Sequence, residues 1–150
     1  MKVIPKTIWT ANTVLFAIFF LGATLAATSS AEGIQEKTIA SKRSGNLVVV
    51  MTNETGKLTP GENHFCVQFQ SISPSTAINI QEASADFRLL VGRIEEAPIT
   101  AHLSSNGAQN FCGGIDLGRQ YYRPANYYVL VHYVEATGKK RSTRLSLAVK

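Results

Sequence analysis

Gly61-Glu-Asn-His-Phe-Cys-Val-Gln-Phe-Gln70 is the stretch on which the fold turns. Phe65, Val67 and Phe69 alternate with His64, Cys66, Gln68 and Gln70, a period of two that belongs to a half-buried strand. The same period recurs on both sides. Upstream, Asn46 to Thr52 reads as a first strand, and the turn-rich Asn53–Pro60 (NETGKLTP) connects it to Gly61. Downstream, a polar connection through Ser71, Ser73, Pro74 and Ser75 leads to a third strand over Ala85–Ile94, where Phe87, Leu89 and Val91 alternate. Pro98–Ser104 follows as a shorter fourth strand. The turn Ser105–Gln109 (SNGAQ) leads into a fifth, Phe111–Leu117, with Phe111, Ile115 and Leu117 on one face. Gly113 and Gly114 inside it predict a bulge or a close approach of another backbone.

Tyr127, Val129, Val131 and Tyr133 define a sixth strand over Tyr127–Val134. A hairpin turn at Ala136-Thr137-Gly138 returns the chain through Thr143, Leu145, Leu147 and Val149 as a seventh. No amphipathic helix of useful length interrupts the pattern. The expectation is an all-β fold, a seven-stranded antiparallel immunoglobulin-like sandwich. In that wiring the first, second, fifth and fourth strands share one sheet, and the third, sixth and seventh the other.

The N-terminal part of the sequence has a different character. Lys2 and Lys6 precede an uncharged run from Thr7 to Ala31 with an apolar centre, Val14–Ala27, and Ser29-Ser30-Ala31 supplies small residues before Glu32. Residues 1–31 therefore read as a secretory signal peptide, with an uncleaved membrane anchor as the alternative. Both place the rest of the chain outside the cytoplasm, secreted or periplasmic, because the lysines stay on the cytoplasmic side. Residues 32–44, poor in large apolar groups, read as a flexible spacer, and 45–150 as one domain. Of the 150 residues, 119 follow Ala31, enough for a single core. They retain thirteen of the fifteen basic residues and all ten acidic ones, a net charge of +3.

Cys66 and Cys112 fall on the polar faces of the second and fifth strands, which the expected wiring makes neighbours. In an oxidising compartment they are expected to form a cross-strand disulfide on the outer face. Closing a loop of about 47 residues contributes roughly 4 kcal/mol in the chain-entropy model. The competing use is a metal centre. With the fourth-to-fifth hairpin centred on Gly107, His102 stands opposite Cys112, in one row with Cys66, and His64 lies one outward position along. Thiolate and imidazole donors suit copper or zinc. The spacing lacks the close ligand pairs of a strong metal motif, so the expectation is no metal and no cofactor, with His64 and His102 as weak candidates. His132 reads as a surface residue.

No catalytic motif is present: neither Gly-x-Ser-x-Gly, nor His-Glu-x-x-His, nor a phosphate-cradling glycine loop occurs. Glu95-Glu96 reads as a solvated carboxylate pair rather than an acid–base couple, since a general acid needs burial to raise its pKa. The expectation is a non-enzymatic protein. Lys139-Lys140-Arg141 reads as a solvated turn, with contact to anionic headgroups or an acidic partner as its functional use. Export and the lack of a basic stripe interleaved with aromatics argue against nucleic acid. Asn53-Glu54-Thr55 fits a glycosylation sequon, relevant only in a eukaryotic secretory pathway.

Residues 46–50 (NLVVV) and 56–65 (GKLTPGENHF) resemble the opening of YtkA-like domains, in which a first strand leads into a G-x-L-x-x-G-x-N-x-F turn and second strand. Ala85–Leu89, Phe111–Leu117 and Asn126–Val131 are similar to later strands of that family, so the resemblance covers about Gly45–Val149. The family is found alone, membrane-anchored, or beside copper-handling and efflux components, so the resemblance implies an extracytoplasmic immunoglobulin-like sandwich with an accessory role in the envelope and metal handling as a further use. The chain departs from the pattern at Leu90, Val91, Gly92, Arg93 and Ile94, where suspected copper binders carry methionines, and at Tyr127 or Tyr128, where tryptophan is common. Without thioether donors the copper implication loses its basis here. The combined expectation is an exported binding module acting through a protein partner, with metal handling and an adhesive or structural role as alternatives.

Overall fold

A computed structural model describes residues 36–91, 94–107, 109–118 and 126–147. The signal or anchor segment, 1–31, lies outside the described residues. Among those described, nine strands form: β1 (Lys37–Ser44), β2 (Leu47–Asn53), β3 (Gly61–Ser71), β4 (Ile80–Val91), β5 (Ile94–Glu95), β6 (Ile99–Ser105), β7 (Asn110–Leu117), β8 (Asn126–Glu135) and β9 (Lys140–Leu147). All pairings are antiparallel, in the order β1-β2-β3-β7-β6-β4-β8-β9, with β5 folded back on the end of β4.

The neighbour relations expected for the seven strands are present, as β2-β3-β7-β6 and β4-β8-β9. The two expected halves are joined through a common strand. Ile99–Leu103 of β6 pair with β4, and Ser104 and Ser105 pair with β7, so one strand is shared between the two halves. The path therefore continues from β1 to β9, and these terminal strands lie side by side. The result is a nearly closed, barrel-like antiparallel sheet. A correction concerns residues 32–44, read as a spacer: Lys37–Ser44 form β1, paired along β2 with a bulge between Thr38 and Ala40. Few large side chains are needed there, because β1 contributes only Ile39 and Ala40 to the margin of the core. The third expected strand is also divided, since the chain reverses after Val91 and Ile94–Glu95 pair back onto Leu90 and Val91.

Alternation places the core as the sequence implies. Leu47, Val49 and Met51 of β2 meet Phe65, Val67 and Phe69 of β3, Ala85, Phe87 and Leu89 of β4, and Val129, Val131 and Tyr133 of β8. Phe65 packs edge-on to Phe87, with ring centroids 5.3 Å apart, and Phe69 contacts both Phe111 and Tyr133 at 5.8 and 5.0 Å. Such pairs add to the area they bury. Met51 is fully buried and serves packing. At the start of β3, Asn63 accepts the Thr59 N–H at 2.8 Å and donates to the carbonyls of Thr59 and Gly61 at 2.6 and 2.8 Å. A buried amide so satisfied fixes where β3 begins, and with it which residues face out.

Candidate functional site

Two outward surfaces follow from this register. The first carries the cysteines. Phe69 N–H donates to the Gln109 carbonyl at 3.0 Å, and two-residue alternation from that bond makes Cys66 and Cys112 a non-hydrogen-bonded pair, the closer kind. Cys66 stands directly opposite Cys112, their Cα atoms 4.0 Å apart, and the two form the expected disulfide. The bridge floors an open depression of about 390 Å³ bordered by Glu36, Glu54, His64 and Gly114. Glu36 accepts the Thr52 hydroxyl at 2.6 Å. The bulge expected at Gly113 and Gly114 is absent from the β3–β7 ladder, whose register is continuous. A close approach explains the first glycine instead: a Cβ on Gly113 would stand 2.7 Å from the His102 carbonyl oxygen.

The metal constellation does not assemble. The β6–β7 hairpin is centred one residue later than Gly107, which moves the register by two and sets Ser104, not His102, opposite Cys112. His102 belongs to the ladder with β4, across from Ser84. His64 stays beside the disulfide on the other half of the sheet. Among the described residues no three His, Cys, Asp or Glu side chains group as a metal ion would require. With both cysteines in the bridge, their thiolates are not available as ligands.

The second surface is the outer face of β6-β4-β8-β9. Ser84 is flanked by His102 on β6 and His132 on β8, with Ser142 beyond on β9. One step along, Asp86 lies opposite Thr100 and accepts its hydroxyl at 2.7 Å, while His132 Nε2 lies 3.1 Å from the other carboxylate oxygen. His132, read as a bare surface residue, is thus bound to Asp86 rather than turned to Ser84. The Arg88 guanidinium reaches the same carboxylate at 3.8 Å. Arg144 lies over the ring of buried Tyr128, its Cζ 3.8 Å from the ring centroid, a cation–π contact. Outward parity is legible for each of these residues, but the strand register that gathers them is not encoded in any local pattern.

Lys139-Lys140-Arg141 is part turn and part strand, since β9 begins at Lys140. The turn closes through Gly138, whose φ of 80° suits glycine, with Glu135 N–H donating to the Lys139 carbonyl at 3.0 Å. Arg141 Nε donates to buried Glu135 at 2.6 Å. Lys139 and Lys140 are exposed. At the sequon, Asn53 Nδ2 donates to the Lys57 carbonyl at 2.8 Å and Oδ1 accepts from Gly56 N–H at 2.6 Å, so the amide closes the β2–β3 turn.

Comparison with known proteins adds no relative: no family model, no curated protein and no solved structure matches the chain.

Proposed function

We propose that this chain is an exported, non-enzymatic binding module that acts in the envelope by holding a protein partner on the outer face of β6-β4-β8-β9. The observation that carries the reading is the ordered side-chain array on that face. Tyr128, Arg144, Asp86, Thr100 and His132 are fixed by contacts within the sheet rather than left to solvent. Arginine is enriched at binding hot spots, and a guanidinium already held in place over Tyr128 loses little entropy on association. The disulfide and the leader-like first 31 residues support an oxidising compartment outside the cytoplasm. The resemblance of 45–149 to YtkA-like domains supports the finer fold assignment, an immunoglobulin-like sandwich, and an accessory role.

The test is site-specific photo-crosslinking in the native host, with the probe at position 102 on this face or at Gln70 on the outer face of β3. The reading expects a discrete protein adduct from position 102 that disappears in Arg144→Ala, and none from position 70. Equal adducts from both positions, or none from 102, overturn it. Intact mass of the exported protein, with thiol alkylation and metal content, checks the compartment: a chain beginning near Glu32, two hydrogens light, is expected.

A further inference from the structure

The two outermost strands unite basic residues that are about a hundred positions apart in the sequence. Lys42 and Arg43 lie near the end of β1, and Lys139, Lys140 and Arg141 at the start of β9; all five are exposed. β1 and β9 lie side by side and run antiparallel, so the end of β1 meets the start of β9. Ser44 Oγ, next to Arg43, shares a hydrogen bond of 3.3 Å with the Tyr133 hydroxyl, and Tyr133 is the ladder partner of Arg141. The nearby carboxylates are Glu135, bound to Arg141, and Glu82, which shares a depression of about 280 Å³ with Lys140 and Arg141. Five cations against two carboxylates make this patch +3, equal to the net charge of all residues after Ala31. The positive excess of the chain is therefore concentrated here.

We infer that the β1–β9 seam is an electrostatic docking surface for an anionic phospholipid membrane. Charge complementarity supplies the attraction, because each Lys or Arg near an anionic bilayer raises affinity roughly fivefold. The chain outside the described structure points to the same occupant. Its uncharged run, with the apolar centre Val14–Ala27, ends at Ala31, five residues before β1, the strand that carries Lys42 and Arg43. One apolar segment alone anchors weakly unless it crosses the bilayer, and a basic patch is the usual second signal. After cleavage the seam would still hold the domain at the surface from which it was released.

The experiment uses residues 33–150, a compact unit with its own core and disulfide. Sedimentation is measured with vesicles of phosphatidylcholine alone and with added phosphatidylglycerol, at low and high salt. The seam predicts binding only to the anionic vesicles, abolished by high salt. Lys42→Glu with Lys140→Glu should weaken it at least about tenfold, whereas Lys57→Glu, exposed on the β2–β3 turn, should weaken it far less. The milder pair Lys42→Gln with Lys140→Gln keeps the test valid if charge reversal disturbs folding. Absence of binding to anionic vesicles overturns the inference. Equal loss in Lys57→Glu overturns the assignment to the seam, and preference for polyglutamate over the vesicles overturns the membrane in favour of an acidic polypeptide. Lys140 and Arg141 line the same depression as His102 and His132, so the two surfaces adjoin, but their tests fail separately: vesicle binding needs no protein partner, and the crosslink at position 102 needs no vesicle.

Discussion

Cys66 and Cys112 are facing residues of adjacent strands, joined on the outer side of the sheet while Phe65, Val67 and Phe111 beside them fill its interior. The bridge thus clamps β3 to β7 without occupying core volume. Its contribution comes from the unfolded chain, whose freedom it restricts over a separation of 46 residues. Replacing both cysteines with alanine should lower stability by about 4 kcal/mol, read from urea unfolding, while leaving the strand signature in circular dichroism intact. A loss below about 1 kcal/mol would contradict this account.

Adjacent glycines in β7 should respond oppositely to substitution. A Cβ on Gly113 meets backbone, the His102 carbonyl oxygen at 2.7 Å, together with a Leu103 methyl at 2.8 Å, and backbone cannot move aside cheaply. A Cβ on Gly114 meets the edge of the His64 ring at 3.4 Å, where an exposed side chain can yield. Thermal unfolding should show Gly113→Ala destabilised by about 2 kcal/mol and Gly114→Ala changed by less than about 0.5 kcal/mol. Similar effects at both positions would refute the close approach of β6 to β7.

Thr143 points inward from β9, 5% exposed, and its hydroxyl has no hydrogen-bond partner among the described residues. Valine keeps the shape and removes the stranded polar group. Thr143→Val is expected to stabilise by about 1 kcal/mol, seen as a higher urea midpoint with unchanged slope. A drop in stability would mean that the hydroxyl is satisfied.

Arg141 serves the fold before it serves any partner, because it neutralises Glu135 where β8 ends. Arg141→Ala leaves that carboxylate, 11% exposed, without its cation. The expected cost is about 1 to 2 kcal/mol, below that of a fully buried pair because the guanidinium is 45% exposed. Lys139→Ala, in the exposed turn, should cost less than about 0.5 kcal/mol. Equal effects in calorimetry would show that Arg141 and Glu135 do not interact in solution.

Much of the strand content was readable because alternation is a local property. Phe65, Val67 and Phe69, or Tyr127, Val129 and Val131, declare their inner face within six residues of chain. The disulfide was readable for the same reason, since parity put both cysteines outward and the expected wiring made their strands neighbours. β1 was missed because an edge strand with one open side needs few apolar residues, and Lys37–Ser44 shows almost none of the usual pattern. His102 was misplaced because a hairpin shifted by one residue preserves every inner and outer face while moving each cross-strand partner by two.

The sequence by itself determined which side of each strand is buried, where the main turns fall and which cysteines pair, all of which follow from nearest-neighbour chemistry along the chain. Tertiary structure alone decided that β6 is shared between the two halves, that β1 comes to lie beside β9, and that Asp86, Thr100 and His132 meet. Those relations depend on strand register and on how the sheet curls. Both are set by the packing of all inner faces at once, so no short segment carries them.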